Sequence, residues 1–379
     1  LETYNFDNIR SYNDREINSV LTRLLNDEEF IRILNKIFTP ERIEEIKANV
    51  LKVNTIEQFQ SGYISQYANK IIHDTVESLT SSGLENINKN KSYLYISNHR
   101  DILLDSIILN ELLNRNGIPK TENAIGSNLL IYPWINDLVR LNRSFIVRRD
   151  LTGKDMLEGS RKLSSYIRTK ITKENSSVWI AQREGRTKDG NDLTQIGLLK
   201  MFNFSGEKTL AENFKELNLV PVSVSYEYEP CDAAKTQEIY LKSINETFVK
   251  TPGQDLRSMG QGLADKKGNI HFNFGKISEE DLMEICKIPK VNDRYTRLSE
   301  IINKEIHKGF FLHKFNYIAY DLIYPEQQRF YSKYNILEKE QFIIYANSKL
   351  EKLEGDENAL REIFYKIYSN PVKNSFQFE

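Results

Sequence analysis

The chain has 379 residues, 40% of them hydrophobic and 28% charged, with a formal charge of −1. That is long enough for one large core or two domains, and it has the composition of a globular chain rather than a disordered one. The near-neutral balance excludes a strongly basic nucleic-acid binder, and no apolar run approaches the about 18 residues that span a bilayer.

Residues 1–82 read as a helical region. Asn13 is placed to cap a helix reaching Leu25. Asn26 with Glu29 has capping-box spacing for a second, reaching Phe38. Thr39-Pro40-Glu41 opens a third with a cap, a first-turn proline and an acid. A fourth starts at Asn54 or Thr55 and runs towards Leu79. From Leu84 the pattern changes. Strand-like runs at 93–96, 144–147, 178–181, 220–226 and 270–274 alternate with helix-like runs, among them 102–113, 155–171 and 194–201. Such alternation predicts an α/β fold with a central, mostly parallel sheet flanked by helices. Residues 83–292 are expected to form this unit, with residues 293–379 a C-terminal helical extension. The apolar block at 129–135 is expected in the core, with a lip into a membrane or an acyl tunnel as the second reading. Cys231 and Cys286 are far apart and lack ligand spacing, so a reducing compartment is expected, with no disulfide framework and no metal. No secretory signal pattern is visible, and because the sequence opens on Leu1 rather than methionine, a natural start upstream is an expectation.

Four polar clusters fall at predicted strand ends, where open α/β sheets bind ligands. They are Asn98-His99 with Asp101 and Asp105; Phe145-Ile146-Val147-Arg148-Arg149; Glu184-Gly185-Arg186-Thr187 running on to Gly190; and Val220-Pro221-Val222 running on to Tyr226-Glu227. In the first, an imidazole at a strand end is followed by carboxylates at the start of a helix, a pairing suited to proton transfer. His73, His271, His307 and His313 lack such company and are expected to be structural. His99-Arg100-Asp101 also mimics a kinase catalytic loop, but Ser106 stands where that pattern wants Asn, and no glycine-rich loop precedes it.

In order and spacing, the four clusters resemble the glycerolipid acyltransferase family, which includes glycerol-3-phosphate and 1-acylglycerol-3-phosphate acyltransferases. The likeness covers roughly residues 84–230 and departs in detail. Five residues separate His99 from Asp105, where the family has four. Asn142 stands where the second block usually opens with glycine, and Arg186 follows Gly185 directly.

The resemblance implies an O-acyltransferase of bacterial type in phospholipid biosynthesis. It would move a fatty acyl group from acyl-CoA or acyl-carrier protein, as co-substrate rather than cofactor, to glycerol 3-phosphate or 1-acylglycerol 3-phosphate. The chemistry fits the residues. His99 is the candidate general base. Asp105, favoured over Asp101, would hold the imidazole, and Asp101 is the alternative partner or a helix cap. N–H groups opening the helix after His99 are candidates for the oxyanion. Asn98, Arg148, Arg149, Glu184, Gly185, Arg186, Thr187 and Pro221 are candidates for substrate binding, with Arg148 favoured over Arg149 because neighbours on a strand face opposite ways. Direct attack without an acyl-enzyme is expected. Between residues 140 and 173 stand ten Lys/Arg and three Asp/Glu, which read either as a solvated helix face, the commoner case, or as a surface for anionic lipid or an acidic carrier protein. A cytoplasmic protein, peripheral on the cytoplasmic face of the membrane, is the expectation. The competing readings are an O-acyltransferase for a lyso-aminolipid and a non-catalytic lipid-binding protein on the same fold.

Overall fold

The structure, a computed structural model, describes residues 4–251 and 253–376. The outermost parts of the two expected helical regions, residues 1–3 and 377–379, lie outside the described residues. Seven strands form one sheet: β1 (Val76–Ser82), β2 (Leu94–Ser97), β3 (Glu122–Gly126), β4 (Ser144–Val147), β5 (Val178–Ala181), β6 (Leu219–Tyr226) and β7 (Gly268–Phe274). Their order is β1-β7-β6-β2-β5-β3-β4, and every neighbouring pair is parallel except β6 with β7. This is the expected α/β architecture with a mostly parallel sheet. β2 lies inside the sheet, between β5 and β6.

The short apolar strands are buried on both faces, as parallel strands covered by helices must be. Leu94 and Ile96 of β2 join Phe145, Val178 and Ile180 under Ile167, Phe202 and Leu298 on one face. Tyr95 points the other way and joins Trp179, Val222 and Val224 under Ile108, Leu109 and Leu112. Separate cores tie together the N-terminal helices and the C-terminal helices.

Two strands arise where the sequence pattern gave no strand. The helix expected to reach Leu79 ends at Thr75, and the chain continues as β1, paired in parallel with β7 through Leu79↔Ile270. β1 is an edge strand with much of its length exposed, so its serines and threonine carry little apolar alternation. β3 reads Glu-Asn-Ala-Ile-Gly, poor in strand-forming residues. Its buried Glu122 is satisfied across the fold, by Tyr166 Oη at 2.5 Å, Lys170 Nζ at 2.9 Å and Ser11 Oγ at 3.2 Å. Among the caps, Asp27 rather than Asn26 opens the second helix, its carboxylate accepting from Phe30 N at 2.9 Å. Thr39 caps as its sequence context predicts, whereas Asn13 caps a short 3-10 turn, Asp14–Glu16, that leads into the helix Ile17–Asn26.

Candidate active site

β2 delivers Asn98 and His99 at its carboxyl end, and the following helix, Leu104–Arg115, presents Asp105 in its first turn. His99 Nδ1 lies 2.7 Å from Asp105 Oδ2. The same oxygen accepts from the backbone N–H groups of Arg100 at 2.6 Å and Asp101 at 3.1 Å. Tyr226 Oη donates to Asp105 Oδ1 at 2.7 Å. Burial opposes a charge on Asp105, but the hydrogen bonds and the histidine outweigh it and hold its carboxyl below the ordinary range. Asp101 does not meet His99. Its Oδ1 accepts from Leu103 N and Leu104 N, each at 2.9 Å, and so caps the helix. Burial and then the nearby Asp105 raise its carboxyl above the ordinary value. The N–H groups of Arg100, Asp101 and Leu103 in the turn before the helix, and of Leu104 at its start, are therefore spent on carboxylates. This corrects their expected role as oxyanion donors. Ile102, on the cavity wall, keeps its N–H unspent among the described residues.

The His99 ring packs edge-on against Trp179, with centroids 5.5 Å apart, and Trp179 Nε1 donates to Ser97 Oγ at 2.9 Å. His99 lines a cavity of about 640 Å³. With Nδ1 committed to Asp105, Nε2 is the nitrogen left for a ligand. Arg148, Arg149, Glu184, Gly185 and Arg186 share this cavity wall. Both arginines of the second block reach it, against the expectation that only one would. β4 ends at Val147, so strand alternation no longer governs the pair. Arg148 is paired with Asp150 at 2.8 Å and Arg149 with Glu184 at 3.6 Å. Arg186 Nη1 is buried without a hydrogen-bond partner among the described residues.

Three candidates for substrate contact lie off the cavity wall. Asn98 is fully buried and clamps β2 to β6, accepting from Val224 N at 2.8 Å and donating to Val224 O at 2.9 Å. Thr187 is fully buried, and its N–H donates to the His99 carbonyl at 2.8 Å, tying the third block to the first. Pro221 sits within β6 opposite Ile96, where its carbonyl accepts from Gly275 N at 2.8 Å. The block at 129–135 is not simply core. Leu129 lines the cavity, while Ile131 and Tyr132 are 50% and 37% exposed.

Residues 78–225 match the family model of the acyltransferases. Over these residues the chain is similar to the acyltransferase family. No curated protein matches it. Among solved structures it is similar to the 1-acyl-sn-glycerophosphate (LPA) acyltransferase PlsC of Thermotoga maritima, at 10% identity and a TM-score of 0.34, over 76% of this chain and 92% of that one. The matched residues contain the first three clusters and the His99–Asp105 pair, and they end one residue before Tyr226 of the fourth cluster. Two residues escaped the site list drawn from sequence. Tyr226 was visible as part of the fourth cluster, but its reach to Asp105 spans 121 positions. Lys188 lines the cavity beside Glu238, and burial pushes its ammonium down to about 8 despite that carboxylate. Lys188 stood within the third cluster, but its partner lies 50 positions on and beyond the matched segment.

Proposed function

We propose that the protein transfers a fatty acyl group from a thioester, acyl-CoA or acyl-carrier protein, to a hydroxyl of 1-acylglycerol 3-phosphate or glycerol 3-phosphate, supplying phospholipid precursors. One observation carries this reading. A histidine held at 2.7 Å by a buried, multiply hydrogen-bonded carboxylate lines a large cavity within a segment similar to the acyltransferases. In the reaction, His99 Nε2 takes the proton of the acceptor hydroxyl as its oxygen bonds to the thioester carbonyl carbon. Asp105 stabilises the imidazolium, as a triad carboxylate does. The tetrahedral adduct collapses, the C–S bond breaks, and the imidazolium returns its proton to the departing thiolate. No acyl-enzyme forms.

Arg186 supports a phosphorylated acceptor. A buried guanidinium nitrogen without a partner is costly unless a ligand completes it, and a phosphate oxygen does so. Arg148, Arg149 and Lys188 add positive charge to the same wall. Ile102, Leu103, Ile107, Ile125, Leu129 and Met201 offer apolar surface to an acyl chain. A membrane-surface location is supported by the exposed side chains of Ile131, Tyr132, Met156 and Leu157, close in sequence to cavity-lining Leu129 and Leu151. No helix among the described residues is long and apolar enough to cross a membrane.

The test is to incubate the purified protein with labelled acyl-CoA or acyl-carrier protein and, separately, glycerol 3-phosphate, lysophosphatidate and a lyso-aminolipid, then identify the product. An acyl ester on a phosphorylated glycerol acceptor is the expected result. Acylation of the lyso-aminolipid alone would replace the acceptor. The absence of product from every acceptor would overturn the reading.

A further inference from the structure

Behind His99 lies a buried, charge-balanced group of four side chains that the reaction does not use: Arg100, Asp192, Glu229 and Lys235, each no more than 6% exposed. Asp192 Oδ2 meets both neighbours of the histidine. It pairs closely with the Arg100 guanidinium and accepts from Asn98 Nδ2 at 3.3 Å. Arg100 Nη1 also reaches Glu229 Oε2 at 3.3 Å. Lys235 Nζ donates to Glu229 Oε1 at 2.5 Å and to the Arg100 carbonyl at 2.9 Å, closing the ring on the backbone next to His99. The Asp192 carbonyl is itself held by His307 Nε2 at 2.7 Å. Buried ion pairs are weak sources of stability, because desolvation offsets most of their attraction. This one is placed where it fixes geometry, because Asp105 also accepts from Arg100 N. A shift of the 98–101 turn therefore moves the imidazole and its carboxylate relative to each other.

We propose that Asp192 is a positioning residue for His99, acting through Asn98 and Arg100. The inference rests on the acyl-transfer reading and names how its base is kept in place. Asp192 is absent from the cavity wall, so its effect belongs in turnover rather than in substrate affinity.

The test compares wild type, Asp192→Asn and a control, Glu216→Gln, which cuts a different partly buried ion pair (Arg168 to Glu216, 2.8 Å). Two readouts are taken: acyl-transfer kinetics, and the low-field imidazole N–H resonance of His99, assigned by its absence in His99→Ala. Asp192→Asn is expected to lower kcat at least tenfold with KM for both substrates within twofold, and to shift or abolish the resonance. Glu216→Gln is expected to lower the melting temperature while leaving kcat and the resonance unchanged. A kcat within twofold of wild type, or an unmoved resonance, overturns the proposal. If Asp192→Asn does not fold, Arg100→Lys carries the same two readouts, since an ammonium keeps the charge but cannot bridge Asp192 and Glu229. Failure of both to fold makes the group an element of the fold rather than of the histidine, and also overturns it. Inactive wild type would count against the proposed function, while the resonance would still decide the positioning role.

Discussion

At the scale of residues, Asp105 and Asp101 have distinct work although both are buried. Asp105 accepts from His99, two backbone N–H groups and Tyr226, whereas Asp101 caps the helix. Asp105→Asn would present an amide to Nδ1 and favour the wrong tautomer, so kcat is expected to fall on the order of 10⁴-fold. Asp101→Asn keeps an oxygen for the cap and is expected to leave the rate within about tenfold, at a stability cost of about 1 kcal/mol or less. Steady-state rates for the two variants check this, and the reverse order would move the carboxylate role to Asp101. Lys188 gives a pH test. Burial lowers its ammonium to about 8, so it is a cation below that pH and neutral above it. KM for a phosphorylated acceptor is expected to be flat up to about pH 8 and to rise above it, and Lys188→Gln to lose the rise; a flat wild-type profile to about pH 10 would remove Lys188 from acceptor binding. The sequence made His99 and its two candidate acids legible. It favoured Asp105 without settling the pair, because the outcome rests on which backbone N–H groups each carboxylate meets. In the structure the helix begins at Leu104, and Asp101 closes the turn before it by accepting from Leu103 N and Leu104 N, which leaves Asp105 to the histidine.

At the scale of elements, the strands that carry the site were legible because they are apolar and bounded by polar turns. β4 and β5 fall where the pattern places them, and β2 and β6 within one residue. β1 and β3 were hidden because pairing partners and buried polar contacts, rather than side-chain pattern, make them strands. Arg149 was undervalued because a rule for strand interiors was applied beyond a strand's end. The third block's loop shows how far the supporting contacts reach. Gly190 has φ of 80°, and an added Cβ would lie 2.5 Å from the Ile367 carbonyl of the last helix. Gly185 has φ of 72° but open space around it. Alanine at 185 is expected to cost about 1–2 kcal/mol for the left-handed backbone alone, and alanine at 190 clearly more, because the helix Glu357–Ser375 must also shift. Urea unfolding of the two variants checks the ranking, and equal costs would contradict the close packing at Gly190.

At the scale of the whole molecule, the segment similar to the acyltransferases does not hold the candidate site unaided. Asn370 Nδ2 donates to the Asp189 carbonyl at 2.6 Å and Asn374 Nδ2 to the Gly190 carbonyl at 3.2 Å, so the last helix braces the third block. Glu229 and Lys235 lie past residue 225, where the family match ends, and hold the His99–Arg100 turn from outside. Such contacts were invisible in sequence because they join residues more than a hundred positions apart and leave no local period. The central claim is that His99, held by Asp105, is the base of an acyl transfer. The direct measurement is the rate of acyl transfer by His99→Ala against wild type, on the acceptor that wild type uses, with folding checked by circular dichroism. A folded variant slower by about 10²–10⁴-fold or more is the predicted result. A folded variant within tenfold of wild type would contradict it.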